Sequence, residues 1–181
     1  MRKFIKFLLL LAVVAALVPI AKWSYQKLLD RFFPLKYEGY IEKYSEEYKL
    51  DKYLVMAVIR AESSFDHAAH SGVARGLMQI TDDTARWIAE KLELEYHADM
   101  VEDPETNIKM GCYYLSYLRQ LYKNTETALA AYNAGMGNVS SWLGDKRYSA
   151  DGVTLYEIPY GETKRYVQRV KKLLIVYQKL Y

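Results

Sequence analysis

An apolar run near the amino terminus is the feature that most limits how this chain can fold. Arg2, Lys3 and Lys6 precede the run, residues 7–21 carry no charge, and Lys22 ends it. The 15 uncharged residues would make roughly 22 Å of helix, against roughly 30 Å for the hydrocarbon core of a bilayer. A basic start followed by an apolar block is typical of an export signal, so this segment is set apart from the core of the remaining chain.

Two fates of the segment are open. We expect an uncleaved signal anchor over residues 1–24, a juxtamembrane linker over 25–36 and one domain over 37–181. Pro19 interrupts the cleavage site that would end at Ala21, which favours the anchor over a cleaved signal peptide. The prediction is a single-pass protein of the cell membrane with its domain on the extracytoplasmic side, and secretion after cleavage is the alternative.

Charge and cysteine content exclude several classes of protein. The formal net charge is +3, but residues 1–30 hold five Lys and Arg and one acid, which leaves 20 basic and 21 acidic residues in 31–181. A neutral domain lacks the electrostatic footprint of a nucleic-acid-binding protein, so we expect no such partner. Cys112 is the single cysteine and cannot form an intramolecular disulfide; its small and aromatic neighbours favour a core position.

Helix signals recur through the domain and indicate a mainly α fold. Asp51, Thr81 or Asp82, and Asp103 stand where N-caps belong, and proline follows Asp103 at the first helical position. Each cap leads into apolar residues at helical spacing. The longest such stripe consists of Ile108, Cys112, Leu115, Leu118 and Tyr122.

Other segments of the domain are predicted from glycine positions, helical periodicity and runs of small polar residues. Gly135 follows a short apolar helix and is predicted to be its left-handed cap. Residues 160–181 are predicted to form a long amphipathic helix, and residues 66–75 a loop. No segment alternates apolar and polar residues over the length of a strand, so no sheet is predicted.

Glu62 is the residue whose position suggests chemistry. It follows Ile59, Val58 and Val55 by three, four and seven residues, which places it on an apolar helix face near the carboxyl end. Burial and the negative end of the helix dipole both disfavour a carboxylate there, so its pKa should rise and a proton should be held near neutral pH. Such a group suits general acid catalysis of glycosidic bond cleavage; the alternative is an ion pair with Arg60 or Arg75.

Four ordered blocks of sequence surround this glutamate. They are Glu62-Ser63-Ser64-Phe65, Gly76-Leu77-Met78-Gln79-Ile80, Ala131-Tyr132-Asn133-Ala134-Gly135 and, in the last helix, Tyr166. Together they resemble the catalytic domain of the soluble lytic transglycosylase family, a branch of the lysozyme-like superfamily that cleaves peptidoglycan. The resemblance spans about residues 40–178, and four blocks in order are far more specific than one.

The resemblance implies a lysozyme-like helical domain with a substrate cleft. It assigns Glu62 as the only catalytic carboxyl. The substrate-binding residues it implies are Ser71, Met78, Gln79, Tyr132, Asn133 and Tyr166. Residues 81–84 depart from the methionine-proline helix start of many relatives, so a subsite contact made there is not expected here.

The implied activity is that of a carbon–oxygen lyase of the bacterial cell wall. It would cleave the β-1,4 bond between N-acetylmuramic acid and N-acetylglucosamine without water and leave 1,6-anhydromuramyl ends. A hydrolytic muramidase is an alternative if Asp66, Asp82 or Asp83 serves as a second carboxylate. A non-catalytic glycan-binding or scaffold domain is another.

The expected partners and cofactors follow from the implied activity. The expected partners are peptidoglycan glycan strands and, through the amino-terminal segment, a membrane, with partner proteins of the cell envelope left open. His67 and His70 are three residues apart, but His97 is remote and no third ligand with zinc-site spacing is present in the sequence. We therefore expect neither a metal nor an organic cofactor.

Overall fold

The computed structural model describes all 181 residues, apart from the side chains of Lys3, Leu10 and Ala12. The chain divides into two compact units, residues 1–36 and 37–181. The first unit is built on helix α1 (Arg2–Phe32), which contains Pro19. This helix is long and apolar enough to cross a membrane by length and composition. It does not stop at residue 24, so the segment expected to link anchor and domain is helical as far as Phe32.

The second unit is mainly helical. Its elements in chain order are α2 (Glu38–Glu47), α3 (Lys52–Glu62), β1 (His70–Ser71), β2 (Ala74–Arg75), β3 (Ile80–Thr81), α4 (Asp82–Lys91), a short 3-10 helix (Ala98–Val101), α5 (Pro104–Tyr122), α6 (Thr125–Ala134), α7 (Met136–Leu143) and α8 (Gly161–Leu180). The mainly α class predicted from the sequence is confirmed by this composition and, below, by the structural relatives.

The predicted caps begin the helices that position the site. The Asp51 carboxylate accepts from the Tyr53 amide at 2.8 Å and begins α3. The Asp103 carboxylate accepts from the Thr106 amide at 2.8 Å and begins α5, with proline in its first turn. Thr81 begins α4 by accepting from the amide three residues on. Short polar side chains at these positions satisfy amides that the first turn leaves without partners.

Helix α3 is the most enclosed element of the core. Seven of its residues are buried: Leu54, Val55, Met56, Ala57, Val58, Ile59 and Ala61. It packs against α8 and α2, while α5 packs against α6, α2 and α4. The Gln178 amide near the end of α8 donates to Asp51 at 2.7 Å, and Tyr166 near the start of α8 lies beside Glu62. Helices α3 and α8 therefore run antiparallel.

The predicted stripe of α5 is confirmed, since all five of its residues are buried. Cys112 is fully buried within that stripe, and burial raises the pKa of its thiol, which confirms its place as a core residue rather than a nucleophile.

Two local predictions are wrong. Residues 66–75 contain a β-hairpin rather than only a loop, and β3 adds a third antiparallel strand. Gly72, at φ +62°, turns the hairpin in the manner of a type II′ turn, and strands of two residues are too short to show alternation in a sequence. Gly135 has φ +86° and ψ +150°, a positive-φ conformation that suits glycine but is not left-handed helical, and α7 begins at the very next residue.

Candidate active site

Glu62 is the last residue of α3, and the turn after it fixes its direction. The Ser63 hydroxyl is positioned to donate to the Ile59 carbonyl at 3.2 Å and to the Leu77 carbonyl at 2.8 Å. Ser64 and Phe65 follow with φ of +56° and +64°. A bulky residue in this region is strained, and such strain persists where the surrounding structure imposes it. Phe65 is almost fully buried, so the core holds the turn and with it the carboxyl group.

The surroundings of Glu62 favour its neutral form. Burial raises its pKa to about 7, while the Tyr166 hydroxyl and the positive charge of Arg169 act in the opposite direction. The alternative pairing with Arg75 is not seen, because that guanidinium pairs with Asp82 and, at 3.3 Å, with Glu102. Glu62 can therefore hold a proton at neutral pH while it remains partly accessible.

Two tyrosines stand beside the carboxyl. The Tyr132 hydroxyl donates to the Met78 carbonyl at 2.8 Å, and its ring lies 5.4 Å from that of Tyr114. The Tyr166 hydroxyl is buried beside Glu62 and lowers the pKa of that carboxyl, although it makes no hydrogen bond of ordinary geometry with the described side chains. Burial and the nearby Glu62 raise the pKa of both tyrosines well above the usual value, and both stay protonated donors.

Gln79 is held on a tight loop, and one of its side-chain atoms has no hydrogen-bond partner. Its side-chain amide donates to the Ala69 and Gly76 carbonyls, each at 2.9 Å, while its Oε1 is buried without a partner in the described structure. Gln79 itself has φ +49°, and Gly76 has φ +79° with no room for a Cβ beside Asn107. The loop thus fixes the orientation of the Gln79 side chain and leaves a buried acceptor without a donor.

Asn133 and Ser71 are the predicted site residues that lie at exposed positions. Asn133 is exposed at the end of α6, and its Oδ1 accepts from the buried Thr163 hydroxyl at 2.8 Å. It lines a groove of about 580 Å³ between α6 and the start of α8, together with Tyr160. Ser71 is exposed on β1, opposite Ala74 at the tip of the hairpin.

Met78 does not line the cleft with its side chain. It is fully buried and fills the space above Gly111 of α5, where any larger residue would overlap it. A side chain without exposed surface cannot contact a ligand, so the substrate-binding role expected for Met78 is corrected here. Its backbone does contribute, because its carbonyl holds the Tyr132 hydroxyl.

Asn107 is a site-building residue that the sequence analysis missed. It is fully buried, and its Oδ1 accepts from the Met78 amide at 2.7 Å. Its amide nitrogen donates to the Arg75 carbonyl at 3.0 Å and the Val101 carbonyl at 2.6 Å. The signal was present in the sequence, because a polar residue beside the apolar stripe of α5 needs buried partners.

The aspartates considered as a second carboxylate have other contacts. Asp82 pairs with Arg75 and accepts from the Tyr96 hydroxyl at 2.9 Å, and these contacts hold its pKa below the usual value. Asp66 accepts from the Ala68 amide at 3.0 Å in the loop after α3, and Asp83 is exposed on the first turn of α4.

The potential metal ligands of the domain are dispersed. Where side chains are described, no three of His, Cys, Asp and Glu converge in a group that could hold a metal ion.

Residues 39–153 match the family model described as the transglycosylase SLT domain. The chain belongs to this family. It is 37% identical over 147 residues to the soluble lytic murein transglycosylase of Escherichia coli, covering 78% of this chain and 23% of that protein. It is also 30% identical over 159 residues to a membrane-bound lytic murein transglycosylase C of Pectobacterium atrosepticum, covering 75% of this chain and 44% of that one.

A solved structure agrees with this assignment. The lytic transglycosylase Slt of Pseudomonas aeruginosa, in an inactive variant with glutamine in place of a glutamate, superposes with a TM-score of 0.73 at 33% identity. The match covers 84% of this chain and 25% of that one. The resemblance drawn from the four sequence blocks is therefore confirmed, although the SLT chain described here spans only about a quarter of these soluble relatives.

Proposed function

We propose that the domain of residues 37–181 is a peptidoglycan lytic transglycosylase with Glu62 as its single general acid and base. The observation that carries the proposal is the burial of this carboxyl at the end of α3 near Tyr132 and Tyr166, which raises its pKa to about 7. The relatives are named as lytic murein transglycosylases, which supports the same reaction class.

In the first step, Glu62 gives its proton to the oxygen between C1 of N-acetylmuramic acid and C4 of N-acetylglucosamine. The C1–O bond breaks, the N-acetylglucosamine end leaves with its hydroxyl restored, and the carbonyl oxygen of the muramyl 2-acetamido group bonds to C1 to give an oxazolinium ion. Because the substrate supplies this nucleophile, no second carboxylate of the protein is needed.

In the second step, the Glu62 carboxylate takes the proton of the muramyl 6-hydroxyl. The 6-oxygen then bonds to C1, the acetamido oxygen leaves C1, and a 1,6-anhydro ring forms without water. Glu62 ends the cycle protonated, as it began. A pKa near neutrality suits both halves of the cycle, because the group must give and regain a proton with similar ease.

The neighbouring side chains are assigned supporting roles in this proposal. Tyr166 donates to the Glu62 carboxylate once the proton has left, since its hydroxyl lies beside that carboxyl and lowers its pKa. Gln79, which is half-buried on its loop, is assigned a contact with the muramyl acetamido group. Tyr132 packs near Glu62 with its hydroxyl bonded to the Met78 carbonyl. Asn133 and Ser71 are exposed and bind sugar hydroxyls.

The test is mass spectrometry of the fragments released from purified peptidoglycan by the full chain in a neutral detergent. We expect products one water lighter than those of hydrolysis, and none from Glu62→Gln. Glu90→Gln is the matched control, since Glu90 is exposed on α4 and loses the same charge. Ordinary reducing ends would indicate a hydrolytic muramidase, and binding without release would indicate a glycan-binding domain.

We also propose that α1 anchors the protein as a single-pass helix with the domain on the extracytoplasmic side. The basic residues before the apolar run and the location of peptidoglycan support this orientation. An alkaline phosphatase joined after Tyr181 should be active in cells, and the fusion should remain in the membrane fraction at full length. An inactive fusion would contradict the orientation, and a shortened soluble product would establish secretion after cleavage.

A further inference from the structure

An exposed face of α8 carries three basic side chains beside one another. Arg165, Arg169 and Lys172 lie three to four residues apart, so they share one face of the helix. With Gln168 and Leu173 they line a surface groove of about 370 Å³. We call this the cationic groove.

The cations of the groove differ from two neighbouring lysines of α8 in forming no ion pair. Lys164 pairs with Glu157 at 2.9 Å, and Lys171 pairs with Glu126 from α6. None of the three groove cations forms an ion pair with any acid whose side chain the structure describes. Like charges one turn apart on a helix repel, so this arrangement costs stability unless an anion occupies it.

The groove lies next to the proposed catalytic acid. Arg169 follows Tyr166 by three residues on α8, which is close to one helical turn, and Tyr166 lies beside Glu62. The charge of Arg169 acts on the Glu62 carboxyl across this short separation. An anion bound in the groove would therefore sit close to a sugar whose glycosidic bond Glu62 reaches.

We propose that the cationic groove binds the carboxylates of the peptide stems that muramyl residues carry. This inference rests on the proposed function. The sugars of the glycan strand are uncharged near the bond, whereas the stem begins on the muramyl ring and bears free carboxylates. Two guanidinium groups can each hold a carboxylate through paired hydrogen bonds, and Gln168 and Leu173 add an amide and an apolar surface suited to a peptide.

A lipid phosphate would offer a similar charge, but the position of the groove favours the stem. A bilayer resting on Arg165, Arg169 and Lys172 would cover the face of α8 next to Glu62 and obstruct a polymer from reaching it. A peptide stem reaches the same face as part of the substrate. A peptide stem therefore accounts for both the positive charge of the cationic groove and its position next to Glu62.

The test measures binding by the full chain in a neutral detergent, with Glu62→Gln present throughout so that no ligand is cleaved. The ligands are short glycan strands with intact stems and the same strands with the stems removed. We expect Arg165→Gln with Lys172→Gln to weaken binding of the stem-bearing strands by about fivefold, as loss of two exposed charge pairs predicts. Binding of the stem-free strands should change much less.

The matched control is Lys91→Gln with Lys179→Gln, which removes the same charge from exposed positions away from the groove and should not weaken stem-bearing strands. A second arm uses stems whose carboxylates have been converted to amides, for which the groove variant should no longer matter. Equal weakening of both ligands, equal weakening by the control, or an effect seen only in bilayer discs containing phosphatidylglycerol would overturn the inference. If stem-dependent binding is absent while anhydro products still form, the groove assignment fails and the proposed function stands.

Discussion

Removal of the Asn107 side chain tests how the loop that carries Gln79 is held. In Asn107→Ala, the Met78 amide loses its acceptor, and the Arg75 and Val101 carbonyls lose their donor. Asn107 is fully buried, so water does not replace these partners without a change in packing. The substitution therefore breaks the connection between α5 and the loop while leaving the apolar stripe of α5 unchanged.

The magnitude follows from the three hydrogen bonds. Each contributes about 1 kcal/mol net, so the free energy of unfolding should fall by about 3 kcal/mol. Most single substitutions cost less, and values this large are typical of a buried polar group left without its partners. For a domain of this size, that loss corresponds to a fall in Tm of roughly 6 to 12 °C.

Urea unfolding of the full chain in a neutral detergent measures the effect. Trp87 and Trp142 report on the domain, and the dependence on urea should be the same for wild type and variant. Asn138→Ala is the matched control, because Asn138 is exposed and makes a single 2.7 Å bond to the Ala134 carbonyl. A loss for Asn107→Ala no larger than that of the control would refute the reasoning.

Three further predictions concern the acid and the core beneath it. Initial rates on peptidoglycan should fall as the pH rises through about 7, where Glu62 loses its proton. Tyr166→Phe should move this fall in rate to higher pH, because the Tyr166 hydroxyl lowers the pKa of Glu62. A fall at the same pH in the variant would contradict that role. Since the pKa of Glu62 is raised on folding, the stability linked to it is present below pH 4.5 and lost as the pH rises through about 7. Glu62→Gln should therefore stabilise the domain at about pH 8, by up to about 3 kcal/mol in urea unfolding, and equal gains at about pH 4.5 would disagree. Gly111→Ala should lower the free energy of unfolding by about 1 to 3 kcal/mol because its methyl overlaps the Met78 side chain, and unchanged thermal unfolding would argue against this packing.

Local signals in the sequence predicted the features that depend on local contacts. The caps at Asp51 and Asp103 act through amides two or three residues away, so the sequence alone locates them. The placement of Glu62 on an apolar helix face likewise follows from spacing, and the raised pKa is the consequence expected from burial. The caps and the placement of Glu62 held because each depends on a single helix, whereas the raised pKa also depends on α8 packing over α3.

Features that depend on distant segments could not be predicted in the same way. Met78 belongs to a block that resembles a substrate-binding motif, yet its side chain is buried because Gly111, far along the chain, leaves a space for it. The basic residues of α8 look alike in the sequence. Only the fold separates Lys171, which meets Glu126, from cations such as Lys172 that have no such partner among the described side chains.

The proton on Glu62 depends on the packing of two antiparallel helices. Burial is the largest influence on its pKa, and α8 packs against α3 with Tyr166 beside the carboxyl. The other end of α8 is tied to the start of α3 by the 2.7 Å bond from Gln178 to Asp51. Any change that loosens this pair admits water to the carboxyl, lowers its pKa and removes the proton needed for the first step. The general acid is therefore a property of the α3–α8 pair as much as of one residue.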